Sequence, residues 1–303
     1  MTKLHSQNNA LIDCLLIYLV PFWCKAQDII STIGNELDFC DSVALATAVH
    51  KLASLRSPPV LIEQATSSPE FFCLLKSIQD KASSLNMRNI ANILWGMAKI
   101  DYFPGDSFME ALCSQIMSQA GTGVAQNTAN TLWAFSVLQY KPSPDVFSAL
   151  ENCIKNQAQE FMPQNISNTV LAFAKLDHKV DSTVLKVLSQ EALRKLSEFN
   201  AQALSNTLWG LSKMGMYDEA IFSAIGTASV KCLSTFNSQN LANTLWAYGN
   251  AKYAGASISP DDAALEALAS ASLRKIVEFS AQNLVRQALI TKRPYQYIYR
   301  IFK

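Results

Sequence analysis

The sequence predicts an all-α fold, an α-solenoid of about five to seven stacked helix-pair repeats of about 38 residues with a right-handed superhelix expected. Three observations carry this. A phrase of about eleven residues recurs at a fixed interval, its apolar positions follow the period of a helix, and proline or glycine falls between the helical stretches. Half the residues are hydrophobic and 16% are charged, which suits a chain with a large buried interior.

The phrase runs Asn89-Ile-Ala-Asn-Ile-Leu-Trp, Asn127-Thr-Ala-Asn-Thr-Leu-Trp, Asn165-Ile-Ser-Asn-Thr-Val-Leu, Ala203-Leu-Ser-Asn-Thr-Leu-Trp and Asn240-Leu-Ala-Asn-Thr-Leu-Trp. Its central residues are Asn92, Asn130, Asn168, Asn206 and Asn243, with successive differences of 38, 38, 38 and 37. A worn copy begins at Ala44, and another begins at Gln282. In the fourth copy Leu204, Leu208, Trp209, Leu211 and Met214 mark the apolar face of one helix, named A. Pro104-Gly105, Pro142-Ser-Pro144, Gly215 and Ser259-Pro260 then mark turns. A second helix, B, follows, as in residues 182–196. It ends near Leu85, Phe161, Phe199, Phe236 or Phe279, each seven residues before the next central position, with Gly123 in that slot once. Asn200, Asn237-Ser238 and Ser280 supply side-chain acceptors for the first free N–H groups of helix A. No alternating strand pattern occurs, and a single helix pair cannot bury both apolar faces, so pairs stack.

Four segments follow. Residues 1–28 are a possible targeting segment or N-terminal cap, 29–85 a degenerate N-terminal helical repeat, 86–290 the repeat array, and 291–303 a basic and aromatic tail outside the pattern. In the first, Lys3 precedes an apolar stretch from Leu11 to Trp23 that Asp13 and Pro21 interrupt, shorter than a membrane span and similar to the apolar core of a signal sequence. A buried capping helix and an arbitrary start point are the competing readings.

The formal net charge of +1 offers no global case for a nucleic-acid partner, so such a case must come from local surfaces. Seven cysteines without a C-x-x-C pair read as free thiols, mostly in the core, and His5, His50 and His178 are far apart. No catalytic residue, cofactor, metal ligand set or small-molecule substrate is read from the chain. The tryptophans Trp95, Trp133, Trp209 and Trp246, with Leu171 in the same slot, are expected in the core, because leucine replaces one of them.

Three groups form the candidate site. Arg88 with Asn92, Gln126 with Asn130, Gln164 with Asn168, Gln202 with Asn206 and Gln239 with Asn243 lie four residues apart on one helical face. They read as a structural ladder of hydrogen-bonded amides, the alternative being that the same amides approach a ligand. Asn89, Asn127, Asn165, Asn240 and Asn283 in one slot, and Asn86, Asn200 and Asn237 in another, are either helix caps or amides that read base edges. Lys99, Lys175 and Lys213 close helix A, where they complement its dipole or neutralise phosphates.

The phrase, written Phe-x-x-Gln-x-Leu-(Ala/Ser)-Asn-Thr-Leu-Trp-(Ala/Gly)-x-(Ala/Ser)-Lys, resembles the octotricopeptide repeat of organellar RNA-binding proteins. It is also similar to the helical repeats that precede RAP domains in FASTK-like mitochondrial proteins, although no RAP-like segment is read here. The resemblance covers roughly residues 85 to 290. It implies single-stranded RNA as the partner, a role in RNA stability, processing or translation, and a nuclear-encoded protein of mitochondrion or plastid. A helical-repeat protein-interaction scaffold is the alternative, with protein partners in place of RNA, and no membrane beyond the N-terminal segment is expected.

Overall fold

A computed structural model describes residues 26–275 apart from 56, 120, 257 and 259–261. The described residues form fourteen α-helices and no strand, an all-α solenoid arrangement of helix pairs. The chain divides into two compact units, residues 1–157 and 158–303. The apolar stretch from Leu11 to Trp23, the Ser259-Pro260 turn, Phe279, the copy at Gln282 with Asn283, and the tail lie outside the described residues.

The first unit contains α1 (Ala26–Glu36), α2 (Ser42–Ser54), α3 (Pro59–Thr66), α4 (Pro69–Asp80), α5 (Met87–Lys99), α6 (Asp106–Ser118), α7 (Ala125–Val137) and α8 (Pro144–Gln157). Helices α2, α5 and α7 are its A helices. The worn copy at Ala44 thus forms a proper A helix, whose N-terminal N–H groups at Val43 and Ala44 donate to Asp41 at 3.0 and 2.8 Å. Its partner is broken in two, because Pro69 has no N–H to continue a helix and the Ser68 hydroxyl instead accepts from Phe71 N–H at 3.3 Å. The second unit contains α9 (Pro163–Lys175), α10 (Ser182–Arg194), α11 (Ala201–Lys213), α12 (Glu219–Lys231), α13 (Ser238–Tyr253) and α14 (Asp262–Arg274), with α9, α11 and α13 as A helices.

Each A helix from α5 to α13 ends in the same way. A residue of positive φ follows the C-cap, namely Asp101, Gln139, Asp177, Gly215 and Gly255. The next N–H then bonds back to the last turn, as Tyr102 to Met97 O at 3.0 Å and Met216 to Leu211 O at 3.0 Å. Glycine adopts this conformation freely, and aspartate is among the few other residues that tolerate it.

The A helices within a unit pack backbone to backbone. A Cβ on Gly96 would lie 2.6 Å from Val49 Cγ1 and 3.0 Å from Val49 O. In the second unit a Cβ on Gly210 would lie 2.7 Å from Val170 Cγ1 and 2.9 Å from Val170 O. The residue after tryptophan is therefore glycine or alanine for want of room. Leu85, Phe161, Phe199 and Phe236 are buried, as their spacing predicts. Gly123 occupies the same slot because Met87 fills the space, its Cβ standing 2.9 Å from where a glycine Cβ would be.

One recurring device escapes the sequence pattern. A long polar side chain at the end of a B helix donates to the carbonyl that precedes the A helix of its own pair. In the first unit Lys81 Nζ donates to Cys40 O at 2.7 Å, Gln115 Nε2 to Leu85 O at 2.8 Å, and Gln157 Nε2 to Gly123 O. In the second, Lys195 Nζ donates to Gln159 O and Phe161 O at 2.6 Å each, and Lys275 Nζ to Phe236 O at 2.8 Å. These clasps satisfy backbone acceptors that helix geometry leaves open.

Candidate nucleic-acid interface

Counting from the N-cap, positions 2, 6, 9 and 13 of a helix fall within an arc of about 60° at 3.6 residues per turn. In α5 these are Arg88, Asn92, Trp95 and Lys99; in α7, Gln126, Asn130, Trp133 and Val137. In α9 they are Gln164, Asn168, Leu171 and Lys175; in α11, Gln202, Asn206, Trp209 and Lys213; in α13, Gln239, Asn243, Trp246 and Asn250. Exposure follows this arc. Arg88, Gln126, Gln164, Gln202, Lys99, Lys175 and Lys213 are exposed, and Asn92, Asn130 and Asn168 partly so. Asn206 and Asn243 are 9% and 5% exposed. Gln239 Nε2 donates to Asn243 Oδ1 at 2.9 Å, so this amide pair bonds along its own helix.

The third-position asparagines sit off this arc. Asn89, Asn127 and Asn240 are buried, and Asn165 is partly exposed. Each lends its Oδ1 to the N-cap backbone: Asn86 N–H donates to Asn89 at 3.3 Å, Val124 to Asn127 at 3.1 Å, Met162 to Asn165 at 3.0 Å, and Asn237 to Asn240 at 3.2 Å. Asn240 also donates from Nδ2 to Ser205 Oγ at 3.0 Å, which ties α13 to α11. This slot thus bonds the N-cap backbone in four A helices, and in α13 its side chain also reaches the seam with α11. The N-cap asparagines Asn86, Asn200 and Asn237 are exposed. Their Oδ1 atoms accept from the third N–H at 2.9 Å each, so the Nδ2 donors remain for an outside acceptor. Exposed Val124 and Met162 take that place in α7 and α9.

The tryptophans depart from expectation. All four are partly exposed on the arc, because the core side of each A helix is already filled by residues such as Leu94, Leu132, Leu208 and Leu241. In the first unit His50, the α2 residue of the same slot, stacks on Trp95 with centroids 4.8 Å apart and planes inclined by 25°, and Lys99 Nζ lies 5.8 Å from the Trp95 ring. Burial, then the nearby Lys51 charge, holds the His50 imidazole below its usual range, so it presents a neutral ring. In the second unit Trp209 and Trp246 stand 5.8 Å apart at 37°. The outward residue of this slot was legible only through the two polar neighbours four and three residues away from it.

Charge is sorted by layer. The six A helices hold Lys51, Arg88, Lys99, Lys175, Lys213 and Lys252 and no aspartate or glutamate. Every other described helix contains at least one acid. The acids nearest in sequence to the closing lysines are Asp101 and Asp177, in the turns just beyond. Among the described residues no cluster of histidine, cysteine or acids is arranged to hold a metal ion, and no helix is long and apolar enough to cross a membrane. Cys40, Cys113 and Cys153 are buried, Cys232 is partly so and Cys73 is exposed.

These features define a helical-repeat protein whose A helices, in each unit, are cationic, amide-rich and aromatic on their exposed arc. The profile of the RNA-editing substrate-binding complex 6 protein family matches residues 70–289, most of the chain, and the protein belongs to that family. The family is RNA-associated, as the repeat phrase led one to expect. No curated protein matches the chain.

Proposed function

We propose that the protein binds single-stranded RNA along the exposed arc of its A helices, without catalysis, and so supports the stability, processing or translation of that RNA. The observation that carries this reading is the sorting of charge: cations and amides without a single acid on the A helices. Membership of a family named for an RNA-editing substrate-binding complex supports it and brings protein partners with it. Arg88, Lys99, Lys175 and Lys213 pair with phosphates, while Gln126, Gln164, Gln202 and the N-cap asparagines Asn86, Asn200 and Asn237 meet bases or sugars. The resemblance to octotricopeptide proteins adds an organelle, mitochondrion or plastid, as the place of action.

A second reading, a protein-interaction scaffold, is favoured by exposed Val60 and Phe72 on the first unit's non-A helices, at 55% and 54% exposure. The purified chain is to be tested against a randomised single-stranded RNA pool at 50 and 200 mM salt. Four phosphate contacts predict affinity roughly fiftyfold weaker at the higher salt, with a short motif enriched. Absence of binding at low salt, or affinity indifferent to salt, would leave the scaffold as the better account.

A further inference from the structure

We propose that the partly exposed indoles of the A helices are stacking platforms for unpaired nucleobases, one base to each indole: Trp95 and Trp133 in the first unit, Trp209 and Trp246 in the second. This deepens the RNA reading above and rests on it.

The argument starts from placement. Indole is among the most costly side chains to leave in water, and four of five consecutive A helices place it at the ninth position, in three of them on the same arc as an exposed glutamine or arginine. The core does not require it there. Leu171 occupies that position in α9, and the neighbouring core residues Val170, Ala172 and Phe173 are fully buried all the same. What surrounds Trp95 and Trp209 suits an anionic, aromatic ligand. One turn before Trp209 lies Asn206, two turns before it exposed Gln202, and one turn after it exposed Lys213; around Trp95 the sequence is Asn92, Arg88 and Lys99. Lys99 lies within cation–π range of Trp95, and no acid on any A helix competes for it.

The geometry also says how a base is seated. Trp209 and Trp246 are 5.8 Å apart, less than twice the stacking rise of about 3.4 Å, so a base does not insert between them. It lies against the outer face of a single indole, with its phosphate toward the lysine one turn on where there is one, Lys99 after Trp95 and Lys213 after Trp209. Every base has a π face, so this contact tolerates sequence. It demands unpaired strands, since bases in a duplex have both faces covered. The leucine at position 171 leaves α9 without a platform.

That leucine supplies the control. Trp209→Leu and Trp246→Leu install at their sites the residue α9 carries naturally, and Leu171→Trp does the reverse. Binding of the full chain to a fluorescein-labelled single-stranded 12-mer is measured by polarisation, with intrinsic tryptophan fluorescence and thermal melting followed in parallel. Stacking predicts that each tryptophan replacement weakens binding at least about fivefold, that Leu171→Trp strengthens it by a similar factor, that RNA quenches the indole emission, and that duplex RNA of the same sequence competes poorly. If wild type binds but all three variants bind equally well and no quenching occurs, the stacking proposal is overturned while the RNA reading stands. If wild type binds no RNA at all, both fall together. Should a tryptophan replacement fail to fold, the Leu171→Trp result and the quenching of wild type decide the matter.

Discussion

Most A helices and B helices of this protein are of similar length, yet the A helices bury more of their residues and only they repeat in sequence. The A helices meet their neighbours at backbone distance, as at Gly210 against Val170, and they also present the exposed arc. Both faces are therefore constrained. A B helix such as α10 or α12 needs an apolar stripe, a cap such as Asp181 or Asp218, and a solvent-tolerant outer face that many charged residues satisfy. Repetition in sequence thus marks where two surfaces are in demand, and all the acidity of the helices has been displaced to the layer where only one is.

Three changes test that contrast. The largest effect is expected from Gly210→Val, which drives a side chain into Val170 and should cost about 3 kcal/mol, whereas Thr227→Val on the exposed side of α12 should cost under about 0.5 kcal/mol. Equal melting temperatures for the two would mean that the A helices are not limited by close approach. Next, Lys195→Met removes the buried ammonium that serves the Gln159 and Phe161 carbonyls, beside Glu191 at 3.8 Å, and should cost roughly 2 kcal/mol by urea denaturation. A loss of a few tenths would reduce the clasp to decoration. The smallest change concerns the caps: Asn200→Ala should cost about 1 kcal/mol, and Val124→Asn, at an N-cap that now lacks a side-chain acceptor, should return about half of that. Destabilisation by Val124→Asn would show that this N-cap is occupied for reasons other than helix initiation.

Much of the fold was legible because repeat period and helix period are both written in the apolar residues. The helix pairs, the Gly215 turn and the buried Leu85, Phe161, Phe199 and Phe236 before their A helices all follow from spacing. The worn first copy was also legible, but the break between α3 and α4 was not, since it depends on what Ser68 bonds to once Pro69 stops the preceding helix. The site was legible in part. Helical geometry placed Gln202, Asn206 and Lys213 together. It also carried Trp209, seven residues beyond Gln202, onto the same arc, but hydrophobicity argued for the core and prevailed. The asparagines at the third position could not be resolved from sequence, because cap and readout call for the same amide at the same place, and only the bond from Asn127 Oδ1 to the Val124 N–H separates them. Net charge misled for a simpler reason: a sum over the chain erases the sorting of its signs between layers.

The clasps bear on the order in which the chain matures. An A helix can form as soon as its own residues are available, but the carbonyl at its entrance, such as Phe161 O or Phe236 O, acquires its protein donor only when the end of the following B helix arrives, 34 residues later for Lys195 and 39 for Lys275. On a ribosome that delay lasts seconds, and throughout it the newest pair is held by water where the older pairs are held by lysine or glutamine. The growing end is thus always the softest part of the molecule, and a clasped pair is sealed only by the end of its own B helix.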